Sequence, residues 1–183
     1  MIASRYPDAT DELLLALVAD AIDAVDPVPP ELVKRTKSAL DLRALTIRQP
    51  WLDAIITDDT DPKRTENRTT RTHRRGLVLL HAGKSYDLHA VERPVMGRWM
   101  ARTGAFRLRA PLGAILGLAQ ITDCHEADGC CAPWGEPGPG VFHYTLDRVR
   151  RLPQPVPCRG ALGFWRPPQD VLDAVIGQLG GAS

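Results

Sequence analysis

From Asp11 onward, Leu13, Leu14, Leu17, Val18, Ala21, Ile22 and Val25 recur at helical spacing with acids on the opposite face, which predicts an amphipathic helix. Thr10 stands where an N-cap belongs, and acids fill the first turn, where they suit the helix dipole. Asp26-Pro-Val-Pro-Pro30 ends the pattern, since consecutive prolines cannot continue a helix. A second short helix is predicted over about 30–41, with Leu32, Val33 and Leu40 on its apolar side. The pair is too small to hold a core of its own.

Beyond residue 42 the period changes. Arg43 to Ile47 reads as a strand, and Pro50 to Thr57 as a short helix with proline in its first turn. Lys63 to Arg68 is an extended alternating run, and Gly76 to His81 a buried strand by its continuous apolar content. Asp87 to Arg102 reads as a helix, with Pro94 as the place for a break. Ala114 to Cys124 is a long apolar strand, in which Gly113 and Gly117 suit tight curvature or a bulge. Val141 to Arg151 is another strand, 157–165 a short one, and Pro168 to Leu179 a terminal helix. Many strands with irregular turns and few crossover helices predict a mainly β fold with some helix (α+β), a small β-barrel rather than a doubly wound sheet. The divisions are an acidic helical extension over 1–41, a barrel domain over 42–167, and a C-terminal helix and tail over 168–183.

Composition alters this little: 44% hydrophobic and 25% charged residues in 183 exclude a disordered or fibrous chain. No apolar run approaches the roughly 18 residues that span a bilayer, and residues 1–9 carry no apolar secretory stretch. A cytoplasmic protein without a membrane partner is expected. Charge alters it more. Residues 1–31 hold one base and seven acids, a net of −6 in a chain of +1, leaving +7 over 32–183. Such a split hints at a polyanionic partner. It also makes the acidic helices candidates for docking a protein partner or covering the chain's own basic face.

The densest polar cluster is Lys63 to Arg75, with six bases against Asp61 and Glu66 over 61–75. Arginine forks and hydroxyls suit phosphate oxygens and base edges, although a solvated, salt-bridged loop has the same composition. On a strand, period two would place Lys63, Thr65 and Asn67 on one side and Arg64, Glu66 and Arg68 on the other. His81 ends an apolar strand and reads as a satisfied core histidine.

Leu45-Thr-Ile-Arg-Gln-Pro-Trp51, Lys63-Arg-Thr-Glu-Asn-Arg68, Arg75-Gly76 and Leu79-Leu-His-Ala-Gly-Lys84 occur in that order. With Gly117 in a strand and Pro157-Cys-Arg-Gly-Ala-Leu-Gly-Phe-Trp165, they resemble the ASCH domain family over about residues 43–166. The resemblance implies a PUA-like fold, a compact barrel of five or six strands edged by short helices. It also implies a central cleft beside Ile47–Trp51 and Lys63–Arg68 that binds RNA or another single-stranded nucleic acid.

In that cleft Trp51 would offer a face for an unpaired base, or else anchor the short helix in the core. Lys63, Arg68, Arg71 and Arg75 would hold phosphates, Arg75 alternatively serving only the turn at Gly76, and Lys84 and Arg159 would complete the basic rim. Glu66 would accept from a base edge or form a structural ion pair. The alternative function is a hydrolase of the same superfamily, a metal-independent ribonuclease in which Glu66 or Lys63 deprotonates a 2′-hydroxyl. A related branch cleaves an amide of a modified nucleoside with lysine, threonine three positions later and arginine five positions later. Here the run is Lys63, Glu66, Arg68, so a carboxylate stands where a hydroxyl is needed. Thr65, one position earlier, faces the other way on a strand.

Cys124-His125 followed by Cys130-Cys131, with His143 nearby, is not a CxxC pair, and Cys158 belongs to the late motif. No metal or other cofactor is expected, zinc being the lesser alternative. Gly129 to Gly140, with Trp134, reads as a loop over one barrel end, either a lid or a long turn.

Overall fold

Alternation along the central strands divides their side chains between two faces, and that division builds the fold. The computed structural model describes residues 42–57, 60–105 and 110–180; the helical pair expected before residue 42 lies outside them. The elements are β1 (Arg43–Gln49), α1 (Trp51–Ile56), β2 (Thr65–Arg68), β3 (Gly76–Tyr86), a 3-10 turn (Leu88–Glu92), α2 (Pro94–Thr103), β4 (Ala114–Glu126), β5 (Phe142–Pro157), β6 (Phe164–Trp165) and α3 (Gln169–Gly180). They form one six-stranded sheet of order β2-β5-β4-β3-β1-β6, in which only β1 and β3 pair in parallel. The fold is mixed α+β. Among the described residues no helix is long and apolar enough to cross a membrane.

On one face, Leu45 and Ile47 of β1 and Val78, Leu80 and Ala82 of β3 pack with Leu52 and Ile55 of α1. On the other, Ala44, Leu77, Leu79, Ile115 and Leu118 pack with Trp165 and with Val171 and Val175 of α3. A third, smaller cluster under α2 joins Met96, Trp99 and Met100 to Ala54, Ala90 and Trp134.

Strand pairing does not close the sheet into the expected barrel: its hydrogen-bonded order ends at β2 and β6. These edge strands have four and two residues. Side chains bridge the gap instead. An Arg68 Nη donates to the Thr46 carbonyl of β1 at 2.7 Å, and Tyr144 of β5 stacks on Phe164 of β6 with centroids 6.0 Å apart.

The strand ends differ from expectation for readable reasons. β5 runs six residues past Arg151 although Pro153, Pro155 and Pro157 follow. Cys158 N–H donates to Gly113 O at 2.9 Å, so Pro155 and Pro157 turn their nitrogens away from β4. They face an edge that β2, pairing only with Phe142–Thr145, does not reach. The expected bulge occurs at Gly117, where the β4–β5 register shifts and a Cβ would stand 2.5 Å from Arg150 O.

His81 is the satisfied core histidine it was expected to be. Its ring faces the Thr46 hydroxyl and the Cys158 carbonyl, both at 3.2 Å, and meets Trp165 edge-on at 5.3 Å. A Cβ on Gly160 would lie 2.3 Å from this ring. Gly160→Ala is therefore expected to cost about 1–3 kcal/mol by overpacking. Gly177→Ala on α3, where nothing lies within 4 Å, is expected to cost nothing; urea unfolding of the two variants checks both.

Candidate functional site

The polar heart of the domain is built where the chain enters β2. Lys63 N–H donates to Ala54 O at 3.0 Å, which fixes the residue before the strand begins at Thr65. Period two therefore does not yet govern it, and its side chain turns to Glu66, which was expected on the opposite face. Lys63 Nζ donates to Glu66 Oε2 at 2.7 Å and to the Thr65 carbonyl, and an Arg68 Nη lies 3.0 Å from Glu66 Oε1. Lys63 is 1% exposed and Glu66 7%.

Burial pulls the Lys63 ammonium below its ordinary range and outweighs the attraction of Glu66. Burial would raise the Glu66 carboxyl, but Lys63 and Arg68 together overcome it and hold the carboxyl below the usual range. Glu66 meets two cations, whereas Lys63 feels the repulsion of Arg68 beside the attraction of Glu66 and Glu136.

Beyond this triad lies a half-open cleft of about 230 Å³. Trp51, at the start of α1, forms its base; Arg93, Pro94, Val95 and Arg98 of the α2 entry form one wall, and Pro133 to Pro137 the other. Trp51 Nε1 donates to Asp87 Oδ2 at 3.0 Å, which fixes the indole. The second wall is fastened to β2 by Asn67, whose side-chain amide donates to Trp134 O at 2.9 Å and accepts from Glu136 N–H at 3.1 Å. Arg93 and Glu136 pair at 2.7 Å, while Arg98 is exposed and has no ion-pair partner among the described residues.

Of the candidate binding residues only Trp51 lines this cleft, and the Gly129–Gly140 loop read as a lid or long turn supplies Trp134 and one wall. Lys63, Glu66 and Arg68 lie together in the buried triad. Arg71 is exposed outside the cleft, as are Lys84 and Arg159. Arg75 serves its turn, donating to the carbonyls of Thr72 and Arg74, and pairs with Asp123 of β4 at 3.0 Å. The cations of the cleft are instead Arg93 and Arg98, which the sequence reading did not single out.

A second polar cluster lies at the β4–β5 hairpin. His125 of β4 and His143 of β5 are register partners, and the intervening loop brings Cys130 and Cys131 back against them. The ligand atoms of these four residues all lie within 4.8 Å of one another. None of the chain's four cysteines forms a disulfide. The chain matches no known protein-family model and no curated protein.

Proposed function

We propose that this chain is an ASCH-type, PUA-like module that binds single-stranded RNA by taking one base into the cleft at Trp51. One observation carries the proposal: a half-buried indole and an uncapped helix N-terminus share a cleft of nucleobase size. At about 230 Å³ the cleft falls below the roughly 300–1,000 Å³ of ordinary small-molecule sites. It suits a single planar ring, with the rest of the strand outside.

Among the described residues no side chain caps the start of α2, so its free N–H groups and dipole favour an anion there, and Arg98 adds a guanidinium for phosphate. The side-chain links across the open sheet edges, Arg68 to Thr46 and Tyr144 to Phe164, support the PUA-like description. The hydrolase alternative gains no such support from this cleft, because Lys63 and Glu66 are committed to each other and do not line it.

Fluorescence anisotropy of a labelled single-stranded RNA tests the proposal. Trp51→Ala is expected to weaken binding by about 1–3 kcal/mol, the worth of one stacked base. Arg98→Ala is expected to lower the salt slope by about 0.7, one phosphate contact on a single strand. Absence of salt-dependent binding by the unmodified chain to any oligonucleotide at low salt would sink the proposal.

A further inference from the structure

The β4–β5 hairpin carries chemistry that the cleft does not use. Antiparallel register sets His125 directly across from His143, with rings edge-to-face at 5.5 Å. His125 Nε2 lies 3.1 Å from Cys130 Sγ and 3.4 Å from Cys131 Sγ, and His143 Nδ1 lies 3.5 Å from Cys130 Sγ. Zinc–sulfur and zinc–nitrogen bonds of about 2.3 and 2.0–2.1 Å place the ligand atoms of a tetrahedron about 3.3–3.8 Å apart. The three observed nitrogen–sulfur separations, 3.1, 3.4 and 3.5 Å, lie within or just below that range, and all four ligand atoms lie within 4.8 Å of one another.

The outer partners fit equally well. His125 Nδ1 lies 2.6 Å from Asp123 Oδ2, and His143 Nε2 lies 3.0 Å from Glu136 O. Each imidazole thus donates from one nitrogen to an oxygen and turns the other, as a lone pair, toward the thiols, the arrangement that orients metal-bound histidines. The loop is shaped around the cluster. Cys131 holds a positive φ of 60°, and a Cβ on Gly135 would stand 2.7 Å from the His143 ring and 2.8 Å from Cys131 Cβ.

We propose that His125, Cys130, Cys131 and His143 bind one zinc ion in a closed, structural tetrahedral site. Two sulfurs and two imidazoles favour a borderline-soft ion over magnesium or calcium, and four protein ligands leave no open position for catalysis. On binding, the two thiols release two protons, and the resulting thiolates balance the 2+ charge. The ion staples the same loop that supplies Pro133 to Pro137, one wall of the cleft. Metal binding itself does not depend on the nucleic-acid proposal, because it is read with no oligonucleotide present.

Metal analysis of the reduced full chain, purified from zinc-supplemented cells, is expected to give one zinc per chain. Titration of stripped protein with Co²⁺ should give intense tetrahedral d–d bands with sulfur-to-cobalt charge transfer, bleached by added Zn²⁺. The unsubstituted chain carries this test, so it does not rely on a variant that fails to fold. Cys130→Ser/Cys131→Ser should lose both signals. Cys124→Ser and Cys158→Ser should keep them, as Cys124 sits in the core, accepting from Thr72 N–H, and Cys158 lies by Gly113. Substoichiometric zinc with no cobalt bands, or full metal content in the double variant, would overturn the proposal.

Discussion

Glu66→Gln is expected to destabilise the chain by about 3–5 kcal/mol, the loss associated with removing one partner from a buried ion pair. The side chain keeps its shape, so the change isolates charge. Lys63 Nζ would lose its carboxylate partner at 2.7 Å and Arg68 its partner at 3.0 Å, leaving two cations facing each other where Lys63 is 1% exposed. The effect depends on pH with a definite sign. The folded-state carboxyl of Glu66 titrates below its ordinary value. Its contribution is therefore complete above the unfolded value of about 4.3 and is lost as pH falls through the lower folded value.

Guanidinium unfolding at pH 7 should show the full gap between the parent and Glu66→Gln, and the gap should narrow steadily below about pH 4.3. A gap independent of pH would mean that the charge of Glu66 is not what the fold uses. Replacing all three members with apolar residues of similar size should cost far less than the single substitution, because no unpaired charge remains.

Sequence foretold the elements wherever a local signal was strong. Unbroken apolar runs marked β3 and β4, Pro94 marked the break before α2, and Gly117 marked the bulge that lets β5 approach. Apolar content could not set the full length of β3, which continues through exposed Lys84 to Tyr86 because β1 still pairs with it, Gln49 being the register partner of Tyr86 and accepting from Asp87 N–H. The polar run at 63–68 was recognised as important, but its geometry was not. The face of Lys63 depends on a hydrogen bond to Ala54 made just before the strand begins, which no periodicity encodes. The four-ligand cluster was hidden for a related reason. His125 and His143 are far apart in sequence and become neighbours only through one particular antiparallel register, and slipping that register by a single residue would put one ring on the other face. Arg93 and Arg98 resemble any charges on an amphipathic helix until Trp51 and the loop wall stand opposite them.

Trp99→Ala is the second large effect, and it should fall on one part of the molecule. Trp99 is fully buried on α2, in the small cluster that also holds Ala54 of α1, Met96, Met100 and Trp134. Removing so large a buried side chain costs about 3–5 kcal/mol. The two larger cores lie on either face of the sheet and do not include it, so the loss is expected as local opening rather than global unfolding. Both walls of the cleft rest on this cluster, α2 through Trp99 itself and the loop through Trp134. Amides of 95–103 and 134–136 should lose hydrogen-exchange protection while those of β3 and β4 keep theirs, and the affinity for single-stranded RNA should fall with them. Trp99→Phe separates volume from polarity. Among the described residues the buried Trp99 indole N–H has no hydrogen-bond partner, so phenylalanine removes an unsatisfied donor that costs about 1–3 kcal/mol, offsetting much of the smaller volume lost. Near-parental exchange in Trp99→Phe beside local opening in Trp99→Ala would show that the cleft stands on the packing of one side chain; uniform loss of protection across β3 and β4 in Trp99→Ala would show instead that the cluster is part of a single cooperative core.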